Sequence, residues 1–168
     1  MTAQSADASE SADARRARRR RIADAKVQLR ELRIELALLS HRVGSRAEIR
    51  DVDLDSLDVI TRHGPISPTA LARRVGVHLA TMTGVLDRLE KGGWITRDRA
   101  ASDRRAVLVR AVPDRQRDIV ELYGGMNDAL DAIFLDYSDD QIDLIAQFLR
   151  RCAEAGQSAT DQLARDSA

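Results

Sequence analysis

The sequence predicts a mainly α-helical fold with one small β-hairpin, on the strength of three observations. Apolar residues recur at helical spacing toward both ends of the chain. Three short helices with clear turn signals lie between these ends, and two segments of alternating apolar and polar residues follow the third helix. We therefore expect a small helical lobe that carries a β-hairpin and is flanked by longer helices.

The first long helix is predicted in residues 22–50. Residues 1–21 contain arginines and almost no large apolar side chain, so we expect a disordered leader there. From Ile22 to Val43 apolar residues recur at alternating spacings of three and four, which is the pattern of a helix with an apolar seam. A small monomer has too few residues to bury so wide an apolar seam. We therefore predict that residues 22–50 pack against a helix of a second subunit.

The same pattern returns in residues 113–160, which we interpret as C-terminal dimerisation helices. Residues 119–133 predict one amphipathic helix, and Ser138 with Gln141 has the spacing of a capping box that opens the next. Cys152 falls on the apolar stripe of that last helix, which favours a buried, inert thiol over a redox switch. Residues 161–168 are small and polar and are expected to fray.

Residues 51–112 predict three short helices followed by the hairpin. Asp53 is expected to cap the first helix, and Ser67-Pro68 supplies the cap and first-turn proline of the second, which Gly76 ends. The third helix begins at Leu79 and carries short side chains on its outer face. Two short helices joined by a tight turn form a helix-turn-helix, and such an outer face fits the major groove of DNA.

The predicted hairpin, residues 94–99 and 106–111, directly follows this helix and therefore resembles a wing. Arg105 at its tip is positioned to enter a minor groove, and Asp103 can hold a guanidinium by a charge-assisted hydrogen bond. Although the chain has zero formal net charge, residues 62–111 carry ten basic and four acidic side chains, whereas residues 112–168 carry five and twelve. This basic middle segment is typical of a protein that binds a polyanion, here double-stranded DNA.

Residues 81–93 and 94–110 resemble the recognition helix and wing of MarR-type winged helix-turn-helix transcriptional regulators, with Asp103-Arg104-Arg105 as the most specific motif. The resemblance implies a triangular homodimer with interlocking N- and C-terminal helices. Since the sequence shows no membrane helix and no secretory signal, we expect this homodimer to be cytoplasmic. It also implies binding to a pseudo-palindromic operator, usually as a repressor relieved by a small ligand or an oxidant. The sequence departs from the family at His78, where serine is usual, and at Ala100 and Ala101, which replace Asp and Pro.

The residues expected to contact DNA lie at the starts of the second and third helices, along the third helix and at the wing tip: Ser67, His78, Ala80, Thr81, Thr83, Gly84, Arg88, Asp103, Arg104 and Arg105. By resemblance Arg88 is a phosphate or base contact. The resemblance also implies an effector pocket where the long helices meet the lobe, with these candidates: Leu38, His41, Arg42, Tyr123 and Met126.

Several other functions are not expected. His41, His63 and His78 lack metal-ligand spacing, and we find no phosphate-binding glycine loop or nucleophile–base set, so we expect no metal, no cofactor and no catalysis. No apolar run reaches the roughly 18 residues that a membrane helix needs, so a membrane partner is not expected either. The alternative to a DNA-binding regulator is a winged-helix module that binds another protein.

Overall fold

The computed structural model describes residues 3–99 and 107–166, without the side chains of residues 3–12 and 99. The described elements, in chain order, are α1 (Ala3–Arg46), α2 (Asp51–His63), α3 (Pro68–Val75), α4 (Leu79–Lys91), β1 (Ile95–Arg99), β2 (Val107–Ala111), α5 (Pro113–Leu122), α6 (Gly124–Phe134) and α7 (Asp139–Asp166). The mainly helical fold with a two-stranded antiparallel sheet is confirmed. The chain divides into two compact units, residues 1–42 and residues 43–168.

The first unit is the greater part of helix α1. The sequence predicts a disordered leader through residue 21, whereas in the structure the helix already begins at Ala3. Alanine and arginine, which dominate this stretch, are among the best helix formers, and Asp13 pairs with Arg16 one turn later at 3.8 Å. Side chains 13–38 are all exposed, including the predicted apolar seam from Ile22 to Leu36. The last two members of that seam differ, since Leu39 is half-buried and Val43 is buried.

The second unit contains a helical lobe whose core is formed by α2, α3, α4 and the hairpin. Its most deeply buried apolar side chains are Leu54, Ile60, Leu71, Met82, Val85, Leu86, Leu89, Ile95 and Val109. The predicted limits of α3 are confirmed, because the Ser67 hydroxyl accepts a hydrogen bond from the Ala70 N–H at 3.2 Å and Gly76 adopts the left-handed conformation.

Helix α2 does not begin as the sequence predicts. It starts at Asp51, with Arg50 in the capping position and no side-chain capping bond, so the assignment of Asp53 as the cap is wrong. Asp53 lies inside the first turn and is buried. Its carboxylate is satisfied by another helix, as described below.

The sheet includes one connection that the sequence pattern did not reveal. Strands β1 and β2 pair in register from Ile95 with Ala111 to Arg99 with Val107. On the other edge of β2, Ile66 and Val109 exchange two backbone hydrogen bonds, Val109 N–H to Ile66 O at 2.9 Å and Ile66 N–H to Val109 O at 3.2 Å. The root of the hairpin is therefore bonded to the segment that leads into α3.

The C-terminal part differs from prediction in two places. The single helix expected over residues 119–133 is interrupted at Tyr123, where α5 ends and α6 begins with Gly124-Gly125, and glycine is a poor helix former. The capping box is confirmed, since the Ser138 N–H donates to Gln141 Oε1 at 2.9 Å and the Gln141 N–H to the Ser138 hydroxyl at 3.4 Å. Helix α7 continues to residue 166, through the segment expected to fray.

The apolar stripes of α6 and α7 are largely exposed in the single chain. Their exposed members include Ile133, Leu144, Phe148 and Leu149. Cys152 on the same stripe is half-buried, and the buried environment predicted for its thiol is not found within the chain. Among the helices the structure describes, none combines the length and the apolar character required to cross a membrane.

Candidate nucleic-acid interface

The geometry of α4 fits the DNA-reading role that the sequence predicts for it. One side of the helix packs into the core through Met82, Val85, Leu86 and Leu89. The opposite side carries the short residues predicted to face the groove, namely Ala80, Thr81, Thr83 and Gly84, of which the first three are exposed and Gly84 is half-buried. A major groove about 12 Å wide admits a helix with such a surface.

Two details define the chemistry of this surface. The Thr83 hydroxyl donates to the Leu79 carbonyl at 3.1 Å, so this hydroxyl presents its oxygen outward as an acceptor. At Gly84 an added Cβ would lie 3.4 Å from Arg88 Nη1, at the border between a tight and an ordinary contact with the end of a flexible side chain. The glycine therefore keeps the surface of the helix low beside the guanidinium of Arg88.

Arg88 has a partner that the sequence analysis missed. Its Nε and Nη2 donate to the two carboxylate oxygens of Asp53 on α2, at 2.7 and 2.6 Å. The Asp53 side chain is only 5% exposed, whereas that of Arg88 is 39% exposed. The hydrogen bond to Asp53 is the main reason why the pKa of Arg88 is raised. Arg88 thus fixes α4 against α2, and its predicted contact with DNA remains a prediction.

A second ion-pair cluster joins α4 to the hairpin. Arg97 on β1 binds Asp87 at 2.6 Å and Glu90 at 3.3 Å, both on α4. Its Nε is buried and has no hydrogen-bond partner among the described residues. Asp87 lies on the exposed side of α4, where an unpaired carboxylate would repel an approaching phosphate, and Arg97 compensates that charge.

The helix starts next to this surface carry the remaining predicted contacts within the lobe. The Ser67 hydroxyl caps α3 as an acceptor, which leaves its hydrogen available to a phosphate oxygen. His78 is exposed in the capping position of α4 and makes no side-chain capping bond. The first backbone N–H groups of α4 therefore receive no hydrogen-bond acceptor from the His78 side chain. Free N–H groups at the start of a helix are able to bind phosphate oxygens.

The remaining predicted residues are those of the wing tip and the effector candidates. Asp103, Arg104 and Arg105 lie outside the described residues, although the strands that lead to them are described up to Arg99 and from Val107. The effector candidates Leu38, His41 and Arg42 lie on α1 in the first unit, while Tyr123 and Met126 lie at the junction of α5 and α6 in the second.

Metal binding has no candidate in the part of the chain that the structure describes. No group of three or more His, Cys, Asp or Glu side chains there could hold an ion.

Known proteins resemble this chain in sequence and fold. Residues 52–107 match the family model described as "MarR family". The uncharacterized HTH-type transcriptional regulator YcgE of Bacillus subtilis (strain 168) is 24% identical over 127 residues, 75% of this chain and 82% of that protein. The HTH-type transcriptional repressor YetL of the same organism is 30% identical over 84 residues, 50% of each chain.

Among solved structures, NadR in complex with 4-hydroxyphenylacetate superposes with a TM-score of 0.57 and 22% identity. The superposition covers 76% of this chain and 90% of that one. At this level of identity the likeness concerns the fold, and it confirms the winged helix-turn-helix architecture predicted from the sequence.

Proposed function

We propose, from the premise that this chain belongs to the MarR family of DNA-binding transcriptional regulators, that it represses transcription as a cytoplasmic homodimer on a pseudo-palindromic operator. The observation that carries the proposal is the outward face of α4. Its side chains are short and mostly exposed, and the opposite side of the helix packs into the buried core. The hairpin beside it is fixed through Arg97, as a wing requires.

The proposed contacts divide between the two grooves of DNA. The α4 helix of each subunit enters a major groove with Ala80, Thr81, Thr83 and Gly84, while Arg105 of the wing enters the adjoining minor groove. Ser67, His78 and Arg104 contact the phosphates, and Asp103 orients a wing arginine. The net positive charge of residues 62–111 supports this arrangement, since phosphate contacts provide most of the affinity in such complexes.

The proposed dimer is supported by the apolar residues that the single chain leaves exposed. They form stripes on α1, α6 and α7, which are the predicted dimerisation helices. Burying apolar surface contributes about 25 cal/mol per Å², so such stripes favour association. Leu36→Asp places a charge in the seam of α1 and is expected to yield monomers in sedimentation velocity, whereas a dimer of unchanged stability would contradict this interface.

Repression and control by a ligand are the finer parts of the proposal. One relative is named as a repressor, and one structural neighbour is a complex with a small aromatic acid. The effector candidates Leu38, His41, Arg42, Tyr123 and Met126 are assigned by the resemblance to the family, and their role in ligand binding stays a prediction.

DNA binding is tested by gel shift with duplex fragments from upstream of the coding region. We expect a retained complex whose log affinity falls with log salt by about 0.9 per phosphate neutralised. Arg105→Ala is expected to weaken the complex while sedimentation still shows a dimer. Failure to retain any such fragment at low salt, or full affinity of Arg105→Ala, would contradict the proposed mode and favour a protein-binding module.

A further inference from the structure

The first part of helix α1 carries a dense block of positive charge. Six of the seven residues from position 15 to position 21 are arginines, and the seventh is Ala17. We call these six side chains the arginine block: Arg15, Arg16, Arg18, Arg19, Arg20 and Arg21. The block lies outside residues 52–107, which match the family model, and directly before the apolar seam that begins at Ile22. Neither the proposed reading surfaces nor the proposed dimer interface accounts for it.

The charges of the arginine block are exposed and almost uncompensated. All six side chains are exposed, and that of Arg16 is 73% exposed. Among the side chains that the structure describes, the only carboxylate within ion-pair distance of the block is that of Asp13, at 3.8 Å from Arg16. By contrast, residues 22–42 carry four Lys or Arg and three Asp or Glu side chains. The excess of positive charge on α1 is therefore concentrated in two turns of the helix.

The spacing of these charges along the helix matches the charge spacing of duplex DNA. An α-helix rises about 1.5 Å per residue, so the seven residues extend for about 10.5 Å and carry one positive charge per about 1.75 Å. Duplex DNA carries one negative charge per roughly 1.7 Å of its axis. Arginines one turn apart, such as Arg15 and Arg19, repel each other, and neighbouring phosphates relieve this repulsion. A duplex is thus an electrostatic complement of the block.

The composition of the block disfavours other polyanions. Successive residues of a helix are about 100° apart, so the six arginines surround the helix and leave no apolar face. A helix that lies on a membrane surface requires such a face, with Trp, Phe or Leu, and single strands require aromatic side chains on which their bases stack. The planar guanidinium group, by contrast, fits the geometry of a phosphate. These features favour the phosphate backbone of a duplex as the partner.

We propose that the arginine block is a second DNA contact of this protein, which binds the phosphates of double-stranded DNA without regard to sequence. This inference rests on the proposed function for the choice of DNA as the partner. A duplex beside the helix faces about half of its circumference, so about three of the six guanidinium groups reach phosphates at once. The block adds affinity for any duplex, whereas α4 and the wing are proposed to select the operator.

The test is a salt titration of the full chain with a fluorescently labelled duplex of random sequence, followed by fluorescence anisotropy. In the glutamine variant every arginine of the block is replaced by a residue of similar helix propensity. The combined substitutions are Arg15→Gln, Arg16→Gln, Arg18→Gln, Arg19→Gln, Arg20→Gln and Arg21→Gln. We expect the Kd at low salt to rise at least about tenfold. The slope of log affinity against log salt should become shallower by about 2.7, for about three phosphates at about 0.9 each.

The matched control replaces the same six arginines by lysine. This lysine variant keeps all the charges and should bind the random duplex within about threefold of the unmodified chain. Circular dichroism and sedimentation velocity verify that both variants keep the helix content and the association state. An unchanged Kd and slope in the folded glutamine variant, or an equal loss of affinity in the lysine variant, overturns the proposal.

Two further measurements separate this inference from its alternatives. Vesicles of phosphatidylcholine and phosphatidylserine offer an anionic membrane, and a block-dependent preference for them over the duplex overturns the proposal. Operator binding is scored separately, by gel shift of upstream fragments in an excess of unlabelled random duplex. If the glutamine variant retains full affinity for these fragments and for the random duplex, the inference fails and the proposed function stands. Block-dependent binding of random duplex without any retained upstream fragment supports the inference and contradicts the proposed function.

Discussion

The pair formed by Asp53 and Arg88 leads to the sharpest prediction for the lobe. Asp53→Asn keeps the size of the side chain but removes its charge and replaces one acceptor oxygen by a donor amide. Arg88 then retains at most one of its two hydrogen bonds to position 53. Its other N–H group faces the amide NH₂ of the new side chain, which is itself a donor. The helix that carries the proposed reading surface loses part of its attachment to α2.

The expected cost follows from the burial of the two groups. A hydrogen bond to a charged group contributes about 1.5–3 kcal/mol, and breaking a fully buried pair costs about 3–5 kcal/mol. Because 39% of the Arg88 side chain is exposed, its freed edge can be rehydrated, so the lower range applies. We expect Asp53→Asn to reduce the free energy of unfolding by about 2 kcal/mol.

The assay is urea unfolding followed by circular dichroism, at one protein concentration because a dimer gains stability with concentration. With an m-value of about 2 kcal/mol per M, the midpoint should fall by roughly 1 M. Asp87→Asn, the same change in the exposed pair with Arg97, is the control and should cost less than about 1 kcal/mol. Equal midpoints of the two variants would refute the structural role assigned to Asp53.

Two further predictions concern the folded state. Because the pKa of His63 is lowered below 6.5, the unfolded chain takes up its proton first, so stability should decrease as pH falls through that value. His63→Gln should reduce this slope in urea titrations at several pH values, and an unchanged slope would contradict the assignment. Gly125→Ala should raise the unfolding free energy by about 0.5–1 kcal/mol, since its Cβ meets nothing within 4 Å. A lower urea midpoint than that of the unmodified chain would contradict this.

Local signals allowed the boundaries of α3 and the start of α7 to be predicted. The limits of α3 are set by a serine cap, a first-turn proline and a left-handed glycine, all within the segment itself. The capping box of α7 is likewise local. Such features depend on neighbouring residues, and they can therefore be predicted without knowledge of the fold.

Contacts between distant residues could not be predicted in this way. Asp53 has the residue type and approximate position of a helix cap, and only the fold shows that it is buried beside an arginine 35 residues further along the chain. The bonds of Ile66 with Val109 leave no periodic signal, because a single bridging residue has no alternation. Arginines of α2, α3 and α7 line the same clefts only because α7 returns to the lobe.

The backbone bonds between Ile66 and Val109 limit how the proposed regulation can act on the lobe. These bonds join the base of the hairpin to the segment that enters α3, and the ion pair of Arg97 with Asp87 joins the hairpin to α4. The three elements are therefore expected to move as one rigid body. A movement of the lobe caused by a ligand would therefore displace α4 and the hairpin, the two elements proposed to contact DNA, together. In the proposed dimer, regulation then acts on the distance between the two lobes. DNA binding requires that this distance match the spacing of about 34 Å between the two half-sites of the operator.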